Sequence, residues 1–93
     1  MSDFLTEIVA GEPYHYHPLG DFVVRAVGIC GGRPTFKYTR IEITGTLERL
    51  AAGEHIDEIV KGYRGRVSQA AMMEAVRLVT DQFIKTLPHL ESA

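Results

Sequence analysis

The residues whose chemistry stands out are three cations that follow a pair of glycines. Arg33, Lys37 and Arg40 come after Gly31-Gly32, with a proline at position 34. Guanidinium and ammonium groups bind phosphate oxygens, and this contact dominates the affinity of proteins for nucleic acids. A basic, glycine-led segment could therefore lie along a DNA backbone or enter a minor groove. On spacing alone, a structural turn into a strand with charged edges is the more common interpretation.

Charge is distributed unevenly along the 93 residues, although the net charge is only −2. Residues 1–24 hold four acidic and no basic side chains, whereas residues 25–66 hold eight basic and five acidic ones. Residues 67–93 are slightly acidic. The basic middle supplies the local positive surface that nucleic-acid binding needs. A solvated charged face explains the same numbers equally well.

Two histidines and one cysteine are the other groups with chemical potential. His15 and His17 would face the same side of a strand, a spacing that metal sites use, but two ligands do not complete a site. Cys30 is the single cysteine and has no evident His–Asp partner pattern, so a small buried side chain is the better interpretation. We therefore expect no metal, no cofactor and no enzymatic activity.

The predicted secondary structure changes from extended segments to helices near residue 44, and these elements must position the residues above. Residues 1–11 are mixed and suggest a frayed helical turn. Aromatic alternation at residues 14–17, a turn signal at residues 18–21 and β-branched residues at 22–29 predict a hairpin. Residues 35–43 alternate again and suggest a second extended segment. The chain thus begins with an extended arm.

Three helices are predicted after that arm. Thr44 would cap the first helix, which ends before Gly53, and the second runs over about residues 56–63. Ser68 would cap a longer third helix that reaches about residue 85, before Pro88. Three helices joined by tight turns are compatible with a helix-turn-helix unit.

Residues 30–43, which read CGGRPTFKYTRIEI, carry a motif that is more specific than its spacing. This motif resembles the opening signature of the bacterial domain-of-unknown-function family four hundred thirty-three. Over residues 27–80 the resemblance continues through these positions: Leu47, Leu50-Ala51-Ala52-Gly53, Asp57-Glu58-Ile59-Val60, Tyr63, Ser68, Ala71 and Ala75.

The sequence departs from the family pattern at three places within the shared part. Tyr38 stands where the family usually has glycine, Arg64-Gly65 replaces a proline, and His55 replaces a small capping residue. Residues 1–26 are outside the shared core. The lost glycine implies a changed turn or a changed contact surface at Tyr38.

The resemblance implies a homeodomain-like or winged-helix-like DNA-binding fold. We accordingly predict a mainly α protein with a small β arm: an N-terminal hairpin (residues 1–26), a three-helix helix-turn-helix domain (27–87) and a tail (88–93). Family members are regarded as antitoxins encoded beside a ribonuclease-type toxin, and as dimers without known enzymatic activity. The resemblance thus implies a homodimer, duplex DNA and a PIN-like ribonuclease as partners.

Two sets of residues follow from this hypothesis. The predicted nucleic-acid contacts are Arg33, Lys37, Arg40, Arg64, Arg66, Ser68, Gln69 and Arg77. Gln69 could read adenine through its amide, with the arginines on phosphates. The predicted dimer interface comprises Phe22, Val24, Leu78, Phe83, Ile84 and Leu87. A third helix that only packs and dimerises fits its wide apolar face equally well.

Two function classes therefore compete, and a third is weaker. The first is a dimeric DNA-binding antitoxin or transcriptional regulator. The second is a protein-interaction module whose acidic, aromatic arm covers a basic partner such as a ribonuclease. The third, a metal-dependent enzyme built on His15 and His17, has the least support. The single cysteine and the short apolar runs predict a cytoplasmic protein with no membrane span.

Overall fold

A four-stranded antiparallel sheet precedes the helices in the structure, a computed structural model that describes residues 4–88. The strands are β1 (Leu5–Val9), β2 (Glu12–Pro18), β3 (Val23–Ala26) and β4 (Pro34–Phe36), and their order in the sheet is their order in the chain. A short 3-10 turn, Cys30–Gly32, joins β3 to β4. The helices are α1 (Ile43–Ala51), α2 (Ile56–Gly62) and α3 (Gln69–Thr86).

The predicted fold class, a mainly α domain behind a small hairpin, is wrong. The sheet extends from Leu5 to Phe36, so more than the hairpin is β structure. The helical turn suggested for residues 1–11 is strand β1, paired with β2 from Leu5↔Tyr16 to Val9↔Glu12. Ala10 and Gly11 form a two-residue loop with φ of 52° and 82°, the left-handed geometry that tight hairpins require. Because this loop pairs β1 with the aromatic strand β2, tertiary pairing overrides the weak local propensity.

The third helix is confirmed, and so is its cap. The Ser68 hydroxyl accepts a hydrogen bond from the Ala71 N–H at 3.0 Å, which satisfies one of the free donors of the first turn. α1 begins one residue earlier than its predicted cap, since Ile43 is already helical and Glu42 is the N-cap residue. His55 precedes α2 without any side-chain cap bond.

Each face of the sheet covers its own apolar cluster. Val23 and Phe36 face the helices and pack with Ile59 and Met72 in the larger core. Alternate residues face the other way, because successive side chains of a strand point to opposite faces. On that other face, a smaller apolar cluster contains Tyr14, Tyr16, Val24 and Ala26. The sheet therefore lies between two apolar cores and contributes side chains to both.

The molecule is elongated for its size. Its radius of gyration is 15.2 Å, against about 12 Å expected for a spherical domain of this length. The principal extents are 56 × 40 × 20 Å. Residues 81–88, at the end of α3, are all exposed. The end of α3 therefore extends beyond the body of the molecule.

Candidate nucleic-acid interface

The segment expected to be a basic arm is folded into the sheet. Cys30, Gly31 and Gly32 have φ of 49°, 63° and 81°, a left-handed run that reverses the chain before β4. Arg33 then forms a two-pronged contact with Glu42, with Nε–Oε1 at 2.8 Å and Nη2–Oε2 at 3.2 Å. Hydrogen bonding to this arginine lowers the pKa of the Glu42 carboxyl. Arg33 already has an anionic partner within its own chain.

Lys37 is also engaged internally. Its ammonium lies 4.8 Å from the centroid of the Tyr16 ring and 5.0 Å from that of Tyr38, and its Nζ is 3.3 Å from a Glu7 oxygen. Partial burial lowers the pKa of Lys37, but interactions with Tyr38, Tyr16 and Glu7 outweigh this effect and raise it. The ammonium is therefore a structural charge between β1 and the turn after β4.

Glu7 is the centre of this cluster. Its carboxylate accepts hydrogen bonds from the Tyr16 hydroxyl and, at 2.6 Å, from the Tyr38 hydroxyl. These bonds lower the pKa of Glu7, and the bond to Glu7 raises the pKa of Tyr16. The Tyr38 N–H donates to the Tyr14 hydroxyl at 2.9 Å. The cluster fastens the β1–β2 hairpin to the turn after β4.

Tyr38 holds the backbone conformation that glycine favours. Its φ is 67°, in the left-handed region that few non-glycine residues adopt. The turn geometry is thus compatible with the glycine that the resemblance leads us to expect there. The side chain of Tyr38 changes the contacts, because it reaches Glu7 across the sheet face. Of the three cations predicted in this segment, Arg40 alone is exposed without a side-chain partner among residues 4–88.

The cations near the turn between α2 and α3, in contrast to Arg33 and Lys37, are not engaged in ion pairs within residues 4–88. Lys61, Arg64 and Arg66 are exposed, and no carboxylate within the described part of the chain pairs with them. Arg64 and Gly65 have φ of 54° and 84°, so two successive left-handed residues turn the chain between the helices. Where the family pattern has a proline, this chain therefore has a turn with an exposed arginine, Arg64.

The solvent-facing side of α3 continues this positive surface. Gln69, Met73 and Arg77 are exposed and recur every four residues, so they lie along one face. The opposite face is buried through Ala71, Met72 and Ala75. Ser68 sits beside this surface, but its hydroxyl already serves as the α3 cap. We call the following residues the α3 surface: Lys61, Arg64, Arg66, Gln69, Met73 and Arg77.

Glu74 has a role that the sequence does not reveal. Its carboxylate accepts three backbone N–H bonds from the loop before β3: Asp21 at 2.7 Å, Phe22 at 2.7 Å and Val23 at 2.9 Å. A Cβ at Gly20 would lie 2.6 Å from the Glu74 Cδ, so a larger residue there would have to displace the carboxylate. Glu74 therefore joins α3 to the sheet, and its carboxylate is held at the loop.

The predicted dimer residues lie in different surroundings. Val24 is completely buried in the smaller core, so its side chain is not available to a partner. Leu78 is half-buried against the larger core. The other four, Phe22, Phe83, Ile84 and Leu87, are exposed. Phe83 and Ile84 are neighbours in α3 and face sides about 100° apart.

The histidines of β2 have local contacts. The Nδ1 atom of His15 lies 2.8 Å from the Thr6 hydroxyl, and the His17 ring meets Phe4 edge-on at 6.2 Å between centroids. Among residues 4–88, no three His, Cys, Asp or Glu side chains are grouped to hold a metal ion. No helix in the same residues is long and apolar enough to span a bilayer.

Comparison with known proteins identifies the family. The profile of DUF433, described as a protein of unknown function, matches residues 23–77. No curated protein and no solved structure matches the chain significantly. The match covers β3, β4, α1, α2 and the first half of α3, including all six residues of the α3 surface, and leaves the β1–β2 hairpin outside. Since it spans more than half of the chain, the protein belongs to the DUF433 family.

Proposed function

We propose that this protein binds duplex DNA through the α3 surface. One observation carries the proposal: Lys61 at the end of α2, Arg64 and Arg66 in the turn that follows, and Arg77 on α3 are all exposed, with no paired carboxylate in the described chain. Arg33, Lys37 and Arg49, in contrast, are each paired with a carboxylate of the same chain. Unpaired cations bind phosphates without first breaking an ion pair, so they carry the electrostatic part of affinity.

The contacts divide into backbone and base contacts. Arg64 and Arg66 are exposed in the turn before α3 and would contact backbone phosphates. Gln69, at the start of α3, carries an amide that can pair with adenine in the major groove. Arg77 lies two turns further along the same face. The Glu74 carboxylate is held by backbone N–H groups of the β2–β3 loop, which limits its repulsion of phosphate.

The biological role that we propose follows the family resemblance. The protein acts as a dimeric antitoxin or transcriptional regulator that binds DNA near its own gene, with a PIN-like ribonuclease as the antitoxin's partner. The identity of the neighbouring gene separates the two roles. A small ribonuclease gene there favours the antitoxin, and any other neighbour favours a regulator that acts alone.

Fluorescence anisotropy with labelled duplexes tests the DNA-binding proposal. The probes are a random duplex and the sequence upstream of the gene, each titrated at several salt concentrations. Wild-type affinity should fall steeply with salt, and the double variant Arg64→Ala/Arg66→Ala should reduce the log–log slope by about 2. The control Arg33→Ala removes a cation that is already paired with Glu42 and should leave the slope nearly unchanged.

Two results would reject DNA binding by this surface. One is the absence of salt-dependent binding to any duplex. The other is an Arg33→Ala variant that loses as much affinity as the double variant, since paired and unpaired cations would then contribute equally. Circular dichroism of each variant shows whether the fold is kept.

A protein-interaction module remains the second candidate, supported by a different surface. β1 is an edge strand, and Ile8 is 70% exposed on it, beside a half-exposed Leu5. The aromatic arm first expected to contact a partner is largely internal, because Tyr14 and Tyr16 are buried. A partner would therefore meet the edge of β1. Co-purification with the neighbouring gene product that is lost in Ile8→Lys would support this module, and DNA binding without such a complex would count against it.

A further inference from the structure

An open apolar groove lies between α1, α3 and the sheet. It consists of two adjoining cavities of about 330 and 430 Å³, which share Pro34, Ile43 and Val79. Leu19 and Leu78 line one end, and Leu47 and Ala51 line the other. Glu48 is the single charged residue in this lining, within the part of the chain that the structure describes. The groove therefore suits an apolar side chain.

An apolar side chain stands directly beside the groove, on the projecting half of α3. Phe83 is 61% exposed and lies one turn after Val79 on the same side of the helix. The nearby charged residues face elsewhere, because Asp81 and Lys85 are turned by about 160° and 120° from Val79. Ile84 is 60% exposed but is turned by about 140°. The face from Val79 to Thr86 thus carries Phe83 without a charged neighbour.

We propose that Phe83 of a second copy of this chain fills the groove. In an antiparallel pair of α3 helices, with a twofold axis between Val79 and Phe83, each Phe83 would lie against the Val79 of the other copy. Such an interface uses the same patch on both subunits, so one patch must contain both the inserted side chain and the groove that receives it. Val79 lines both cavities, and Phe83 adjoins it along α3.

The charge and the area of this patch both fit a second copy. Glu48 is the single charged residue of the groove lining in the described chain, so pairing two copies brings few like charges together although the whole chain is net negative. Val79, Phe83 and Leu19 are each exposed by more than a third, and so are the groove residues Thr44, Glu48, Ala51 and Gln82. Burying them on both copies would remove on the order of 1,000 Å² from water, the low end for specific interfaces. The dimer is therefore expected to be weak and concentration-dependent.

The pairing leaves the α3 surface free. Met73 and Arg77 are turned by about 120° and 160° from Val79, so two copies can contact DNA and each other simultaneously. This inference supplies an interface for the proposed DNA-binding dimer and rests on that function only where it places two α3 surfaces on one duplex.

Sedimentation equilibrium over about 1–500 μM, the range that resolves a micromolar dissociation constant, tests the interface. Phe83→Ser should raise the dimer dissociation constant at least about tenfold, whereas its equally exposed neighbour Ile84→Ser should change it less than about threefold. Ala51→Arg fills the groove from α1 and should also weaken the dimer, whereas Ala52→Arg, exposed just outside the lining, should not. Circular dichroism controls for folding.

Three outcomes would overturn the proposal. A wild-type protein that is monomeric throughout the concentration range has no such interface. An Ile84→Ser variant that dissociates as readily as Phe83→Ser would place the interface elsewhere. A monomer whose Phe83 is needed to bind the neighbouring gene product would assign the groove to that protein. A dimer that binds no DNA would support this inference and reject the proposed function. A monomer that binds DNA would support the proposed function and reject this inference.

Discussion

Replacing Glu74 should reveal how strongly one carboxylate joins α3 to the sheet. Oε1 accepts from the Asp21 N–H, and Oε2 accepts from the N–H groups of Phe22 and Val23. Glu74→Ala leaves three donors without this acceptor, at a loop next to the core residue Val23. Glu74→Gln keeps one oxygen but places an amide NH₂ against a backbone N–H.

The magnitude follows from the environment of each donor. A hydrogen bond to a charged group contributes about 1.5–3 kcal/mol, and less where water can replace it. The bonds from Asp21 and Phe22 are exposed and the bond from Val23 is partly buried, so one strong contribution and two weak ones are expected. We expect Glu74→Ala to lower the free energy of unfolding by about 2–3 kcal/mol and Glu74→Gln by about half as much.

Thermal and urea denaturation measure this effect. A loss of about 2–3 kcal/mol corresponds to a Tm decrease of roughly 8–24 °C in a domain of this size. Asp81→Asn is the matched control, because Asp81 is an exposed acid of the same helix without a side-chain partner in residues 4–88. If Glu74→Ala is no less stable than this control, the three backbone bonds do not stabilise the fold and the reasoning is refuted.

Three further predictions concern the sheet. The pKa of Glu7 is lowered in the folded state, so its contribution is present near neutral pH and is lost as the pH falls through that lowered value. The near-UV circular dichroism of the tyrosines should therefore change in wild type as the pH falls below the ordinary pKa of a glutamate carboxyl, with a smaller transition in Glu7→Gln. Tyr38→Gly relieves about 1–2 kcal/mol of left-handed strain but loses the bond to Glu7, so unfolding should change little while amide exchange in β1 accelerates; unchanged exchange would contradict the role given to Tyr38. Thr35→Val should stabilise the protein by up to about 1 kcal/mol in urea denaturation, because the buried Thr35 hydroxyl has no hydrogen-bond partner in the described chain; destabilisation would show that this hydroxyl is satisfied.

Features encoded by local spacing could be predicted from the sequence. The Ser68 cap follows from its residue type and the apolar stripe of α3 from the helical period, while the alternating aromatics of β2 and the β-branched residues of β3 indicated strands. β1 was missed because Leu5–Val9 has little pattern of its own and becomes a strand by pairing with Tyr14 and Tyr16. The fold class failed with it, since the pairing of one strand with the next is not visible in the period of either strand alone.

The partners of charged residues were the least predictable part of the candidate site. Glu42 lies nine residues after Arg33, Glu7 lies thirty before Lys37, and Glu74 lies more than fifty after the loop that it binds. No local spacing separates an internally paired cation from an unpaired one. From the sequence, Arg33 and Arg64 were therefore both predicted to contact nucleic acid. In the fold, Arg33 is paired with Glu42, whereas Arg64 has no carboxylate partner among residues 4–88.

Strand β3 lies between the two apolar cores and contributes side chains to both. This position determines whether the family-matched region can be produced as a separate fragment. A fragment limited to residues 23–77 would retain β3 and β4 but remove β2, which pairs with β3 from Tyr16↔Ala26 to Pro18↔Val24. Val24 and Ala26 would then face water, and an unpaired strand edge would be open to aggregation. We therefore expect the hairpin and the matched region to unfold as one cooperative unit, so that trimming to the family boundary yields an aggregating fragment instead of a minimal domain.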